Sequence, residues 1–461
     1  MKIKLKNLGI IKQAEFEMGD LTIICGKNNT GKTYTTYSLF GFLNSKNDFL
    51  QIDNVTDNCV KDLLSNGSIS IDLKCHKTKI NTILQLACQK YSKQLADIFA
   101  ANENLFQTSE FNIEVTKKPS LEKAFKQTIG SGEGEIFSLT KEKDSSVLLI
   151  SLLSKDNIEF PSHIIKDIIK NYIITILFDD LLPNVFIASA ERTGTAIFKD
   201  ELDFARTRLL KEMYKHKNKE IDPMELFFKN YHDYALPVEK NVDFQRRLPN
   251  ISKNNSFIVK QYPDIINKFN DILGGKYQLD KDDNLNFHPK ESKIKLKIGE
   301  SSSSVRSLLD LGFYIKHVAK PNDLLIIDEP ELNLHPENQR RIAQILANLV
   351  NIGIKVFITT HSDYIIKEFS TLIMLNSKDE DVFLKTIAEN EGYTPNDLLR
   401  SQQVKMYVAK KALVKLDGDS EKTRNNTLTS IKIDDKLGIG DSGFDSTINK
   451  MNKIQESIIW Q

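Results

Sequence analysis

Gly26, then Gly31, Lys32 and Thr33 after a four-residue gap, are the first residues of this chain whose types and spacing could do chemistry. They lie in LTIICGKNNTGKT, where the apolar run Leu21 to Cys25 enters a turn and a helix-compatible segment opens at about Tyr34. Strand, glycine-rich turn and helix in that order make a phosphate-binding loop. Gly26 and Gly31 let the main chain turn and approach an anion where a side chain would intrude. The loop from Gly26 through Lys27, Asn28, Asn29, Thr30 and Gly31 to Lys32, Thr33 and Tyr34 is expected to cradle phosphate oxygens at the start of the helix. Lys32 is expected to reach the β- and γ-phosphates of a nucleotide, and the Thr33 hydroxyl to ligate Mg2+.

A complementary set lies late in the chain. Leu324 to Glu329 reads LLIIDE, four apolar residues followed by two carboxylates. Such a run belongs to a parallel strand covered on both faces. Asp328 at its end is placed to support Mg2+, and Glu329 to take a proton from the water attacking a γ-phosphate. The strand Lys355 to Thr359 delivers Thr360, His361 and Ser362. A lone histidine at a strand tip is ordinarily structural. In register with the loop and the Asp-Glu pair, His361 is expected to hydrogen-bond the γ-phosphate or the attacking water. Upstream, Ser301, Ser302, Ser303 and Ser304 precede a helix expected over Val305 to His317. They read either as a serine turn with an N-cap, or as a helix start that caps the γ-phosphate held by a second copy.

The elements that must position these groups are spread along 461 residues, enough for one large or two to three ordinary domains. Residues Lys2 to Phe16 read as two strands around a turn at Asn7-Leu8-Gly9. Between the two halves of the site the spacing suggests strands at Ile69 to Leu73, Phe106 to Val115 and Ser146 to Leu152. Helices are expected over Ile80 to Ala101, Leu121 to Gln127, Ile164 to Leu177, Asp200 to Lys219 and Pro263 to Leu273. The buried strand in VFIASAERTG delivers Glu191 and Arg192 at its tip, which suits either ligand handling or an ordinary ion pair. The expected divisions are residues 1–50 and 291–380 as two halves of one head, and 51–290 as a mainly helical insert whose strand near 185–194 returns to the head. Residues 381–461 are expected to form a small C-terminal α+β region.

Net charge is +1, from 63 basic and 62 acidic residues, so no overall field demands a polyanionic partner. The basic run Arg206, Arg208, Lys211, Lys215, His216, Lys217 and Lys219 could touch nucleic acid, although the interspersed acids also suit a solvated helix face. Tyr231, His232 and Tyr234 form no metal spacing, and the four scattered cysteines form neither a metal motif nor a disulfide framework. With no signal peptide and no apolar run of spanning length, a cytoplasmic protein without membrane contact is expected.

Taken together, these segments resemble the ABC-type ATPase heads of the SMC and RecF group. They resemble more closely the compact prokaryotic AAA-labelled ATPases of antiviral defence and abortive-infection operons, the clan that includes the overcoming-lysogenization-defect and Septu-type ATPases. The resemblance identifies Gly26 to Thr33 as the Walker A motif, Leu324 to Asp328 as Walker B and Glu329 as the catalytic glutamate. Ser301 to Val305 correspond to the signature segment, Glu331 to Pro336 to the D-loop and His361 to the switch histidine. Glu191-Arg192 resembles the PAER element of the defence ATPases, with Ser189 in place of proline. The tail from Gly392 to Trp460 resembles their C-terminal region. The signature lacks its usual glycine, and no glutamine matches the Q-loop. Asp417-Gly418-Asp419 lacks the surroundings of a Toprim nuclease.

The resemblance implies an α/β fold: a P-loop ATPase head with a mixed central sheet, N-terminal antiparallel strands and an inserted helical lobe. It implies ATP and Mg2+ as cofactors, and a homodimer that sandwiches ATP head to tail, or a larger homo-oligomer. Lys32, Thr33, Asp328, Glu329 and His361 of one subunit would then face Ser301 to Ser304 of the other. It further implies a sensor or scaffold subunit of an antiphage system, triggered by a viral protein or DNA and controlling a separate nuclease or toxin. A RecF-like DNA-repair ATPase and a nucleotide-binding scaffold with little turnover are the alternatives.

Overall fold

The structure, a computed structural model, describes residues 1–52, 55–131, 134–153, 161–198, 234–376, 386–387, 389–440 and 445–459. A six-stranded sheet organises it, in the order Lys422–Ile431, Val404–Lys415, Leu21–Gly26, Lys355–Thr360, Leu324–Asp328 and Val185–Ala188. All neighbours run parallel except the first pair, so the sheet is mixed. Its continuous apolar runs follow from cover on both faces. Ile24, Leu324, Ile326 and Phe357 enter one hydrophobic cluster, while Ile23, Cys25, Leu325, Ile327, Val356 and Ile358 enter the other.

Helix Lys32–Asn44 covers the first face with Tyr37, Leu39, Phe40, Phe42 and Leu43. Helices Pro336–Asn351 and Asp363–Asn376 cover the second, burying Ile342, Leu346, Ile365 and Phe369. The N-terminal strands Lys2–Leu8 and Ile11–Glu17 form an antiparallel hairpin, and Glu110–Glu114 adds to it antiparallel to the first. This α/β architecture of mixed central sheet, N-terminal antiparallel strands and inserted lobe is the one expected.

The insert holds helices Asp57–Asn66, Ile80–Ser92 and Ser162–Phe178, together with a four-stranded antiparallel sheet. Several expected elements differ. The helix expected over Leu121 to Gln127 is instead the approach to strand Phe125–Ser131, because pairing with Gly134–Lys141 overrides local helix propensity. The helix expected over Ile80 to Ala101 breaks at Lys93-Gln94 and resumes as Leu95–Phe99. After the serine run, the expected single helix is split into Ser303–Ser307, Leu309–Phe313 and a wide turn at Tyr314–Val318. The basic helix expected over Asp200 to Lys219, with Arg206, Arg208 and Lys215, lies outside the described residues, as do Tyr231 and His232. Among the described residues, no helix is long and apolar enough to cross a membrane.

Candidate functional site

Parallel pairing brings the C-terminal ends of four strands to one edge of the sheet. Cys25 stands opposite Thr360, Thr359 opposite Asp328, and Ile327 opposite Ala188. At about 4.8 Å per strand, the Asp328 end lies roughly 10 Å from the loop strand, with Thr359 and Thr360 between them. The halves of the site, nearly three hundred residues apart in sequence, therefore share one rim.

The loop geometry follows from its glycines. Gly26 has φ +142, and a Cβ there would stand 2.5 Å from the carbonyl oxygen of Ala409 on the neighbouring strand. Gly31 has φ +100 and lies against Ile11. Lys27, Asn28, Asn29 and Thr33 are exposed, and the Thr30 hydroxyl donates to the Lys27 carbonyl at 2.7 Å. Thr35 N–H is the first to bond back, to the Gly31 carbonyl, so the amides of Lys32, Thr33 and Tyr34 precede the first bonded donor of the helix. Tyr34's ring packs on Phe99 at 5.1 Å and covers Gly9. Lys32 is 7% exposed, and its Nζ donates to the carbonyls of Gly26 at 3.1 Å and Lys27 at 3.0 Å. Burial lowers its pKa, while Glu329 and Asp328 act to hold its charge.

Asp328 is 2% exposed. Thr359 Oγ1 donates to its Oδ1, and its Oδ2 has no hydrogen-bond partner among the described residues. Burial pushes this carboxyl up to about 6, with the Thr359 bond opposing that rise. A desolvated carboxylate oxygen without a protein donor, at the rim of a phosphate loop, suits a divalent cation or its water.

Glu329 follows with φ +54, a left-handed main chain that turns its side chain away from the strand. Its Oε1 stands 3.5 Å from His361 Nε2, with both groups about one-third exposed. Burial, then Lys32, lowers the His361 pKa, and Glu329 opposes them. Neutral imidazole is therefore favoured, and the contact is not a full ion pair.

Several residues singled out in the sequence have partners that the sequence does not show. Glu331 accepts from the His361 N–H at 2.5 Å and from the Thr360 hydroxyl at 3.0 Å, fixing the histidine turn within its own chain. Arg192, expected as a ligand group or an ion pair, is 2% exposed and donates to main-chain carbonyls, including Asp328 O at 2.6 Å. Glu191 accepts from Tyr37 of the loop helix at 2.7 Å. Two hydroxyls following the apolar run Val356 to Ile358, in KVFITT, were the available signal for Thr359 and Thr360.

The serine run lies by another part of the molecule. Ser301 is buried and donates to the Ile298 carbonyl, and Ser302 caps Val305 N–H at 3.3 Å. Ser303 is exposed, and Ser304 Oγ lies 2.8 Å from Ser302 Oγ. Ser307, at the end of this short helix, is tied by its carbonyl to Arg192 beside the edge strand Val185–Ala188. That strand stands three places from Leu21–Gly26, roughly 14 Å across the sheet.

Among solved structures, similar chains include three SMC head domains. One is the SmcHead bound to the C-winged helix domain of ScpA, 12% identical over 92% of this chain and 97% of that one, TM-score 0.34. Another, derived from Pyrococcus furiosus, is an Smc head domain with an extended coiled coil bound to the C-terminal domain of ScpA; it is 14% identical over 99% and 98%, TM-score 0.33. The third is the SMC head domain from Thermotoga maritima, 10% identical over 94% and 98%, TM-score 0.29. No curated protein matches the sequence. Residues 1–366, spanning the loop strand, both carboxylates and His361, match the AAA ATPase domain, and the chain belongs to that family of ATP-binding and ATP-hydrolysing proteins.

Proposed function

We propose that this ATPase is a nucleotide-driven switch in which two copies close head to tail around bound ATP. The observation that carries the reading is the shared rim, where Lys32, the unpartnered oxygen of Asp328 and the Glu329–His361 contact come together. Lys32 and the amides of the loop hold the phosphates. Thr33 and Asp328 would hold Mg2+, which when bound neutralises charge on the triphosphate. Glu329 accepts the proton of the attacking water, and neutral His361 orients that water or the γ-phosphate. Ser302 to Ser304 serve the nucleotide of the second copy, so that hydrolysis and assembly are coupled. In this reading residues 1–50 and 291–380 are the two halves of the head, and strands Val185–Ala188, Val404–Lys415 and Lys422–Ile431 complete its sheet.

For what the switch acts on, we favour a RecF-like, DNA-binding ATPase. The hairpin Val404–Lys415 and Lys422–Ile431 pairs Lys411 with Asn426, Leu413 with Arg424 and Lys415 with Lys422. Cross-strand partners share a face, so exposed Lys411, Lys415, Lys422 and Arg424 surround exposed Leu413. Among the described residues, none of these four bases lies in a salt bridge. Such a face supports phosphate-backbone contact. The second reading, a sensor subunit of an antiphage system that controls a nuclease or toxin, comes from the motif resemblance.

The experiment is ATP turnover with and without double-stranded DNA across a salt series, for wild type and Lys415→Glu/Arg424→Glu. DNA stimulation that weakens with salt and is lost in the variant supports the first reading. Turnover indifferent to DNA at low salt removes it and leaves the second.

A further inference from the structure

The Arg192 guanidinium donates to four main-chain carbonyls drawn from three segments. Nε donates to Ser307 at 2.8 Å, Nη1 to Ser189 at 2.8 Å and Asp328 at 2.6 Å, and Nη2 to Glu329 at 2.7 Å. None of these acceptors is a carboxylate. Burial works against the charge, and Asp310 is the largest electrostatic influence opposing it. A buried cation without a contacting acid is costly to keep. What the planar fork supplies in return is direction: several donors fixed relative to one another, which neither lysine nor an apolar side chain reproduces.

The segment so held is an unusual one. Glu329 adopts φ +54, which a residue with a Cβ rarely takes because the Cβ crowds the following carbonyl oxygen. Its N–H is retained by the Thr359 carbonyl at 3.1 Å, with Thr359 Oγ1 at 3.3 Å, and its carbonyl by Arg192. Both peptides flanking Glu329 are thus fixed. Without the Arg192 end, the cheaper right-handed conformation becomes open to Glu329, and its carboxylate leaves His361.

We propose that Arg192 is a positioning residue for hydrolysis. It holds the Glu329 main chain in the conformation that aims the carboxylate, and through Ser307 it makes that aim depend on where the serine-led helix lies. A second copy that engages the serines would then act on Glu329 through one side chain. This rests on the reading of Glu329 as the base.

The test is a double-mutant cycle in MgATP turnover, using wild type, Arg192→Lys, Glu329→Gln and the double variant. Arg192→Gln runs beside it: it removes the buried charge and keeps two donors, so a foldable variant remains if lysine is not tolerated. Folding is checked by thermal unfolding, and ATP affinity by direct binding. The expected result is a tenfold or greater fall in kcat with KM and ATP affinity within twofold of wild type. In the Glu329→Gln background the same substitution changes the residual rate less than twofold, because the residue through which Arg192 acts has gone. An equal fall in both backgrounds, a wild-type rate, or a rise in KM at constant kcat overturns the coupling. Unchanged turnover in Glu329→Gln alone overturns the reading of Glu329 instead, so the two failures are distinguishable.

Discussion

Thr359→Val keeps the shape of a buried side chain and removes one hydroxyl. That hydroxyl donates to Asp328 Oδ1, while Oδ2 has no partner, so the variant leaves a buried carboxylate without a hydrogen bond. A hydrogen bond to a charged group contributes about 1.5–3 kcal/mol and a neutral one about 0.5–1.5 kcal/mol. Burial already lifts Asp328 from 3.8 to about 6, and the Thr359 bond restrains that rise. Losing it lifts the carboxyl by about one further unit, at 1.36 kcal/mol per unit. A folded pKa above the unfolded value means that the native state keeps a proton the unfolded chain releases. This group's contribution to stability therefore falls as pH rises from about 4 to about 6, and in the variant the fall continues to higher pH. Urea unfolding in chelator at pH 5 and pH 8 reads the difference. The variant is expected to lose about 0.5–1.5 kcal/mol at pH 5 and about 1.5–3 kcal/mol at pH 8. The same loss at both values would assign the effect to packing and refute the account of Asp328 as a desolvated carboxylate.

Other outcomes follow from the same geometry. Gly26→Ala places a Cβ against the Ala409 carbonyl at a positive φ; a loss of about 2–5 kcal/mol is expected, with a lower thermal midpoint and weakened ATP binding. Lys32→Ala is expected to abolish ATP binding in a direct titration while the fold persists, since its amine bonds to loop carbonyls that the loop itself presents. Ser302→Ala removes a helix cap and should cost about 1 kcal/mol in unfolding. Exposed Ser303 bears on the sandwich instead: Ser303→Ala should leave unfolding unchanged and lower kcat, most clearly at protein concentrations where wild type is assembled.

How much of this was legible in the sequence depended on how local the physics was. The loop strand announced itself because Leu21 to Gly26 are all buried, and a strand covered on both faces admits only apolar or small residues. LLIIDE was legible for the same reason, and the glycines because only they accept φ +142 and +100 beside a neighbouring chain. Strand order left no such mark. Nothing in VKMYVAKKALVK says that it pairs parallel with Leu21–Gly26, yet that pairing puts Ala409 against Gly26. Thr359 meets Asp328 only because their strands are adjacent in the sheet. Arg192 was ambiguous because most of its partners are carbonyls from two distant segments, and a backbone acceptor has no residue type to recognise. The Leu121 to Gln127 segment misled because long-range pairing outweighed a propensity worth only tenths of a kcal/mol per residue.

The most direct measurement of the central claim is ATP binding and steady-state hydrolysis by Glu329→Gln. The amide keeps the side chain's shape and cannot accept the water's proton. ATP affinity is expected within twofold of wild type, with turnover lower by about a hundredfold or more and ATP-bound assemblies accumulating on gel filtration. Unchanged hydrolysis, or loss of ATP binding along with it, would contradict the account.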